Sequence, residues 1–192
     1  DGTRDLTPGE RDDEPLSPLG RQCLAGMLTH AAAITGVGAP IVNSYKRLLP
    51  GSWSPAHACW GVGSRAALVR IPAMGRRRHL EFRSGDNACN PYLLLTALLA
   101  AGLDGIDRQL EPPEAVCDDV GALTDDQARA RGLPLLPRSL AEALDALEAD
   151  PVITAGLGSL ITGAFLRVKR SELVDYNLHV HPWERRVYLE VI

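Results

Sequence analysis

Seven arginines and one glutamate stand between Arg47 and Arg83, in a chain whose net charge is −4. A basic block inside an acidic chain needs a partner. Guanidinium is the group best suited to planar, bidentate capture of carboxylate and phosphate. The block therefore predicts a pocket for one or more small anions. It also constrains the backbone. Arg65–Ile71 and His79–Arg83 read as two strands joined by residues 72–78. Side chains alternate along a strand, so His79, Glu81 and Arg83 share one face while Leu80 and Phe82 point to the core. Arg65 and Arg70 are five apart, which an ideal strand would put on opposite faces. Either Arg65 belongs to the preceding Gly- and Ser-rich turn, or a bulge intervenes.

The rest of the chain supports this block. Its 192 residues, 45% hydrophobic, suffice for one domain, which buries roughly 70% of its unfolded surface. Asp1–Glu14 reads as a charged surface segment, and the polar start without Met reads as part of something longer. Ser17-Pro18 opens a helix by the cap-plus-proline logic. Leu19, Cys23, Met27 and Ala31 continue it, and Gly36 and Gly38 stop it. His30, near its end, reads as a capping or surface histidine. Asn43–Leu49 is either a turn of helix or extended, and Leu49–Pro55 is a loop. Asn90-Pro91 starts a second helix, Pro91–Leu103, apolar nearly all round and so expected to be deeply buried. Asp104–Asp150 holds twelve acids against four arginines and reads as an exposed excursion. Within it, Ser139–Ala149 carries a Ser139–Glu142 capping box and a stripe of Leu140, Ala143, Leu144 and Leu147. Leu157–Tyr176 is expected to face inward with Leu157, Leu160, Ile161, Ala164, Phe165 and Val168, and outward with Lys169, Arg170 and Glu172. Trp183–Leu189 closes the chain, anchored by Trp183 and Val187.

Several function classes find no support. No apolar run reaches the ~18 residues of a membrane span, and no signal peptide is seen. The four cysteines are scattered, which argues against a zinc site or disulfide framework and fits a reducing cytoplasm. His179-Val180-His181 lacks a third metal ligand nearby. Gly156-Leu157-Gly158 lacks the remainder of a dinucleotide fingerprint, and no Gly-x-Ser-x-Gly is present. Aromatic residues make up 5%, with none interleaved among the arginines as a stacking platform, so nucleic acid is not expected. A strand-borne carboxylate among arginines suits a site holding a divalent cation and phosphates together.

The order of motifs narrows this further. Asn43-Ser44-Tyr45-Lys46-Arg47-Leu48, Pro50-Gly51, Arg65, Arg70-Ile71-Pro72, Glu81-Phe82-Arg83, Asp86 and Asn90-Pro91-Tyr92-Leu93 closely resemble the glutamine synthetase family. Ala101-Gly102-Leu103-Asp104-Gly105-Ile106 and the Trp183–Leu189 end continue the likeness over nearly the whole chain. The resemblance implies an α+β fold, the C-terminal part of that family's catalytic domain, with antiparallel strands in the active-site sheet and helices packed around it. It places all of 1–192 in a partial catalytic domain.

Members of the family join glutamate to ammonia or another amine through γ-glutamyl phosphate, using ATP and magnesium or manganese. By position, Arg47 would grip the glutamate α-carboxylate, and Arg65 and Arg70 would hold the transferring phosphoryl group. Arg76 would lie near the nucleotide, Glu81 would bind metal, and Arg83 would contact the glutamate side chain and the tetrahedral intermediate. Three departures qualify the likeness. His79 stands where the family has Arg two residues before the metal-binding Glu. Trp53 stands in the flap about where ammonia-using members have Glu, a form closer to ligases of organic amines. The family's N-terminal β-grasp domain and its other metal-binding acids have no counterpart in the chain, so the chain alone is expected to be catalytically incomplete. The alternative is a non-catalytic, glutamine synthetase-like remnant or assembly partner. The family forms dodecamers, which makes a homo-oligomer the implied assembly.

Overall fold

The computed structural model describes residues 6, 16–52, 54–72 and 79–191. Trp53 and Arg76 lie outside the described residues. Eight α-helices and three short strands are described: α1 Pro18–Thr29, α2 Ala31–Gly38, β1 Trp60–Val62, β2 Val69–Ile71, β3 Glu81–Phe82, α3 Pro91–Asp107, α4 Asp125–Ala130, α5 Leu140–Ala149, α6 Pro151–Leu157, α7 Ser159–Leu178 and α8 Pro182–Tyr188. The fold is α+β. The expected antiparallel pair is present as β2 and β3, with Val69 opposite Phe82 and Arg70 opposite Glu81. Both strands are shorter than expected. β1, which sequence reading passed over, adds to β2 in parallel.

Local chemistry sets the helix starts. The Ser17 hydroxyl accepts from Gly20 N, and Asn90 Oδ1 accepts from Tyr92 N and Leu93 N. Each cap satisfies amides that have no partner inside the helix. Ser139 caps α5 in the same way, but Glu142 reaches back to Arg138 N rather than to Ser139 N, so the expected capping box is half-formed. Asn43 and its neighbours form a turn of 3-10 helix, Val42–Lys46.

Two apolar clusters carry the fold. One gathers Ile34, Val37, Ala97, Ala101, Leu144, Leu147 and Ile153 among the helices. The other gathers Leu24, Leu28, Trp60, Leu68, Val69 and Ile71 around the sheet. Phe82 packs against both, so the strand that carries Glu81 is tied to each cluster.

Three expectations about burial are corrected. α3 is not enclosed: Leu95, Leu99 and Leu103 are 57%, 67% and 58% exposed, and only Ala97, Ala101, Gly102 and Gly105 are buried. Its inward face is the small-residue face, because α1 approaches too closely for leucine. α7 turns Thr162 and Leu166 inward, with Phe165 and Leu173 partly buried, and leaves Leu160, Ile161 and Val168 exposed. A break at Gly158, with φ of 84°, separates α7 from α6 and resets its rotation. Trp183 and Val187 are exposed rather than anchoring α8.

The acidic excursion is partly structural. Ala58 N donates to Pro134 O, Leu136 N to Ala56 O and Val116 N to Trp60 O, fastening it across the sheet. Among the described residues no single helix is long and apolar enough to cross a membrane.

The α1–α3 crossing leaves no room for side chains at its glycines. A Cβ on Gly105 would meet Gln22 O at 2.1 Å, and one on Gly26 would meet Ala101 O at 2.0 Å. Both obstacles are backbone and cannot rotate away. Gly105→Val is expected to cost about 3 kcal/mol or more of unfolding free energy by overpacking. Urea denaturation checks it, and a variant within ~0.5 kcal/mol of the parent would refute the close-packed crossing.

Candidate active site

Three residues of the basic block form a compact charged group on the sheet. Arg70 on β2 and Glu81 on β3 are cross-strand partners, with Arg70 Nη2 3.1 Å from Glu81 Oε2. Arg83, two residues past Glu81 and on the same face, places Nη1 2.6 Å from Glu81 Oε1. Arg83 Nε also donates to the Arg65 carbonyl at 3.0 Å. Each oxygen of Glu81 thus receives a different guanidinium. All three side chains are partly buried, which limits solvent screening.

Arg70 Nε is buried with no acceptor. A buried N–H donor left unmade is costly, and in a native site it commonly marks the place of a ligand or ordered water. Two cations share one carboxylate here, so the face carries surplus positive charge and an open donor. That arrangement suits a phosphoryl oxygen.

Arg47 lies alongside. Its Nη1 donates to Ser54 Oγ at 3.1 Å and Arg83 O at 3.4 Å, and its Nη2 to Ser84 O at 2.8 Å and Gly85 O at 3.4 Å. The guanidinium therefore fixes the chain just beyond β3. Ser54 was not anticipated from the sequence, and a serine in a Pro-bounded loop carries no signal of this role.

Arg65 sits in the loop before β2, which resolves the turn-or-bulge alternative in favour of the turn. It lines a cavity of about 640 Å³. Arg70, Glu81 and Arg83 are brought together directly, Arg47 joins them through the Arg83 carbonyl, and Arg65 through its own carbonyl. Arg76 and Trp53 lie outside the described residues, so their assigned roles are not placed.

A resident divalent cation does not fit this donor set. Among the described residues no three His, Cys, Asp or Glu side chains converge. Glu81 is the one hard-oxygen ligand in the group, and both its oxygens already face guanidinium, whereas such cations need several oxygens.

His30, expected to cap the helix or lie at the surface, is the C-cap of α1 and is buried between two carboxylates. Its Nδ1 is 2.6 Å from Asp150 Oδ2, and its Nε2 is 3.0 Å from Asp104 Oδ2. It stands at the break between α1 and α2 and ties both to α3 and α6, a structural post remote in sequence from the arginines.

The profile of the glutamine synthetase catalytic domain matches residues 1–188. The chain belongs to the glutamine synthetase family. A glutamine synthetase of Halobacterium salinarum is 44% identical over 183 residues, covering 94% of this chain and 40% of that protein. One from Archaeoglobus fulgidus is 42% identical over 183 residues, covering 94% and 37%. Among solved structures, a GmaS complex with ADP superposes with a TM-score of 0.84 at 40% identity, covering 97% of this chain and 43% of that one. The chain thus spans about two fifths of the length of the glutamine synthetases it matches.

Proposed function

We propose that the chain supplies the arginine-rich side of an ATP-dependent ligase that forms γ-glutamyl amides from glutamate and ammonia or an organic amine. The observation that carries this reading is the Arg70–Glu81–Arg83 group with the open Arg70 Nε donor. ATP enters with its own divalent cation as substrate. A γ-carboxylate oxygen of glutamate attacks the γ-phosphorus, and ADP leaves. The amine nitrogen then attacks the acyl carbon, phosphate leaves, and the nitrogen gives up its proton.

In this reading Arg65 and Arg70 neutralise the phosphoryl oxygens while charge moves onto ADP, the stage at which fixed donors lower the barrier most. Arg83 reaches the γ-carboxyl group and its tetrahedral adduct. Arg47 takes the α-carboxylate by exchanging its two 3.4 Å carbonyl contacts for charge-assisted bonds. Glu81 holds Arg70 and Arg83 apart in fixed orientation. Its oxygens become metal ligands only with further carboxylates from outside the described group. The exposed leucines of α3 and the apolar side chains of α7 and α8 support completion by more protein, within an oligomer. A non-catalytic assembly partner would share those surfaces, and activity separates the two.

The amine is proposed to be organic. The support is the flap sequence Gly51-Ser52-Trp53-Ser54-Pro55 together with the GmaS structures, whose name denotes a γ-glutamylmethylamide synthetase. Ammonium needs anionic partners to replace its water. Indole instead offers an alkylammonium about 0.5–2 kcal/mol of cation–π attraction. The chain completed with a relative's N-terminal part is expected to favour methylamine or ethanolamine over ammonia in kcat/KM by about tenfold. Trp53→Glu should narrow that ratio. An unsubstituted enzyme that favours ammonia over both would refute the organic-amine assignment.

A further inference from the structure

We propose that Ser54 is a positioning residue for the amino-acid substrate, holding the Arg47 guanidinium in the orientation that receives an α-carboxylate. This rests on the ligase reading, in which Arg47 takes that carboxylate. Ser54 is 8% exposed, and its Oγ accepts from Arg47 Nη1 at 3.1 Å. A hydrogen bond donated by a cation is stronger than one between neutral groups.

The contact belongs to a closed ring. Ser52 Oγ donates to the Arg47 carbonyl at 2.7 Å and accepts from Ser54 N at 3.2 Å. The backbone of Arg47 is joined in this way to its own guanidinium, through Ser52 and Ser54. The loop that carries the two serines is held at its base, where Gly51 N donates to Gly121 O at 2.6 Å and Ser52 N to Leu49 O at 3.1 Å. Gly51 turns the chain there with φ of 77°, a value that favours glycine. An anchored loop therefore restrains a long side chain whose rotamers would otherwise be lost on binding.

The lengths of the Arg47 contacts give Ser54 its part. Nη1 reaches Ser54 Oγ at 3.1 Å and Arg83 O at 3.4 Å, and Nη2 reaches Ser84 O at 2.8 Å and Gly85 O at 3.4 Å. Each nitrogen has one short contact and one long one. An arriving carboxylate displaces the long ones, and the short ones stay to fix the plane of the fork. Bidentate capture depends on that plane, because two N–H groups must meet two carboxylate oxygens at once. Without the Ser54 hydroxyl, and with the long contacts released, the fork is held among the described residues at Ser84 O and pivots there. The seat of the α-carboxylate is then no longer set before the substrate arrives, and binding has to supply the ordering.

The test is calorimetric titration of glutamate and of 4-aminobutanoate, which lacks the α-carboxylate, into the 192-residue chain and its Ser54→Ala and Ser54→Thr variants. The parent is expected to bind glutamate about tenfold more tightly than 4-aminobutanoate. Ser54→Ala should weaken glutamate about fivefold and leave 4-aminobutanoate unchanged, and Ser54→Thr, which keeps the hydroxyl, should restore most of the loss. In the chain completed with a relative's N-terminal part, Ser54→Ala should raise KM for glutamate by about the same factor, with kcat and KM for ATP changed by less than about twofold. Equal weakening of both ligands, threonine no better than alanine, or a fall in kcat as large as the rise in KM would each overturn the proposal. The ligase reading fails separately. If the parent prefers glutamate and Ser54→Ala keeps the full preference, only the role of Ser54 is wrong. If the titrations behave as stated while the completed protein makes no amide with any amine, only the ligase reading is wrong. A parent chain that binds neither ligand, or both equally, removes Arg47 from the α-carboxylate and overturns the two together.

Discussion

Arg83→Ala, in the chain completed with a relative's N-terminal part, is expected to lower kcat for γ-glutamyl amide formation by about 10²- to 10³-fold, the usual cost of removing one preorganised donor from a site of developing charge. Arg83 joins three parts of the site. Nη1 holds Glu81 at 2.6 Å, Nε holds the Arg65 carbonyl at 3.0 Å, and its own carbonyl accepts from Arg47. Alanine would remove a cation and also free the loop that carries Arg65. Lysine should rescue little, because one ammonium cannot span Glu81 and the Arg65 carbonyl in the planar fork that guanidinium provides. Folding should survive, since Arg70 still pairs with Glu81 and Phe82 keeps both cores. A drop of less than tenfold with unchanged circular dichroism would remove Arg83 from the reacting centre.

His30→Ala is expected to cost about 3 kcal/mol of stability with no direct effect on chemistry, the low end of the cost of leaving buried charge unpaired, because Asp104 keeps Arg108 at 2.8 Å and only Asp150 loses its side-chain partner. Asp104 and Asp150 are mostly buried, and both face His30. Asp150 also caps α6 through Val152 N and Ile153 N. Burial alone would raise the Asp104 carboxyl, but hydrogen bonds from His30 and Arg108 outweigh it and hold it below the ordinary range. A carboxyl depressed in the folded state contributes stability above its unfolded pKa, and that contribution is lost as pH falls through the folded value. The parent should therefore lose stability on acidification, and His30→Ala should show a smaller acid loss from a lower starting point. Urea unfolding at pH 7 and at pH 3 measures both. A cost under ~1 kcal/mol at pH 7 would mean that the triad is dispensable.

Much of this was legible in the sequence because it depends on neighbours a few residues apart. The Ser17 and Asn90 caps, the stripe of Leu140, Ala143, Leu144 and Leu147, and the alternation that sets Glu81 and Arg83 opposite Phe82 are all local. What was not legible depends on a second element. The hydrophobicity of Pro91–Leu103 could not say which side meets α1, and close approach of backbones selected glycine and alanine over leucine. Gly158 resets α7 by a turn that periodicity through Leu157 ignores. β1 is three residues long and defined only by pairing with β2. His30 acquires its role from carboxylates 74 and 120 residues away. The candidate site shows the same division. The identity of its arginines was plain, while the open Arg70 Nε donor and the tether of Arg47 to residues 83–85 required the fold.

In the proposed ligase reaction one γ-carboxylate oxygen of glutamate passes to phosphate by way of γ-glutamyl phosphate. The direct measurement follows ¹⁸O from the γ-carboxylate of labelled glutamate, with ATP and methylamine, for the 192-residue chain alone and for the chain joined to the N-terminal part of the Halobacterium relative. No turnover is expected from the chain alone. The joined protein is expected to place one labelled oxygen in each inorganic phosphate released with the amide. Turnover by the chain alone, or amide formation with unlabelled phosphate, would contradict this path.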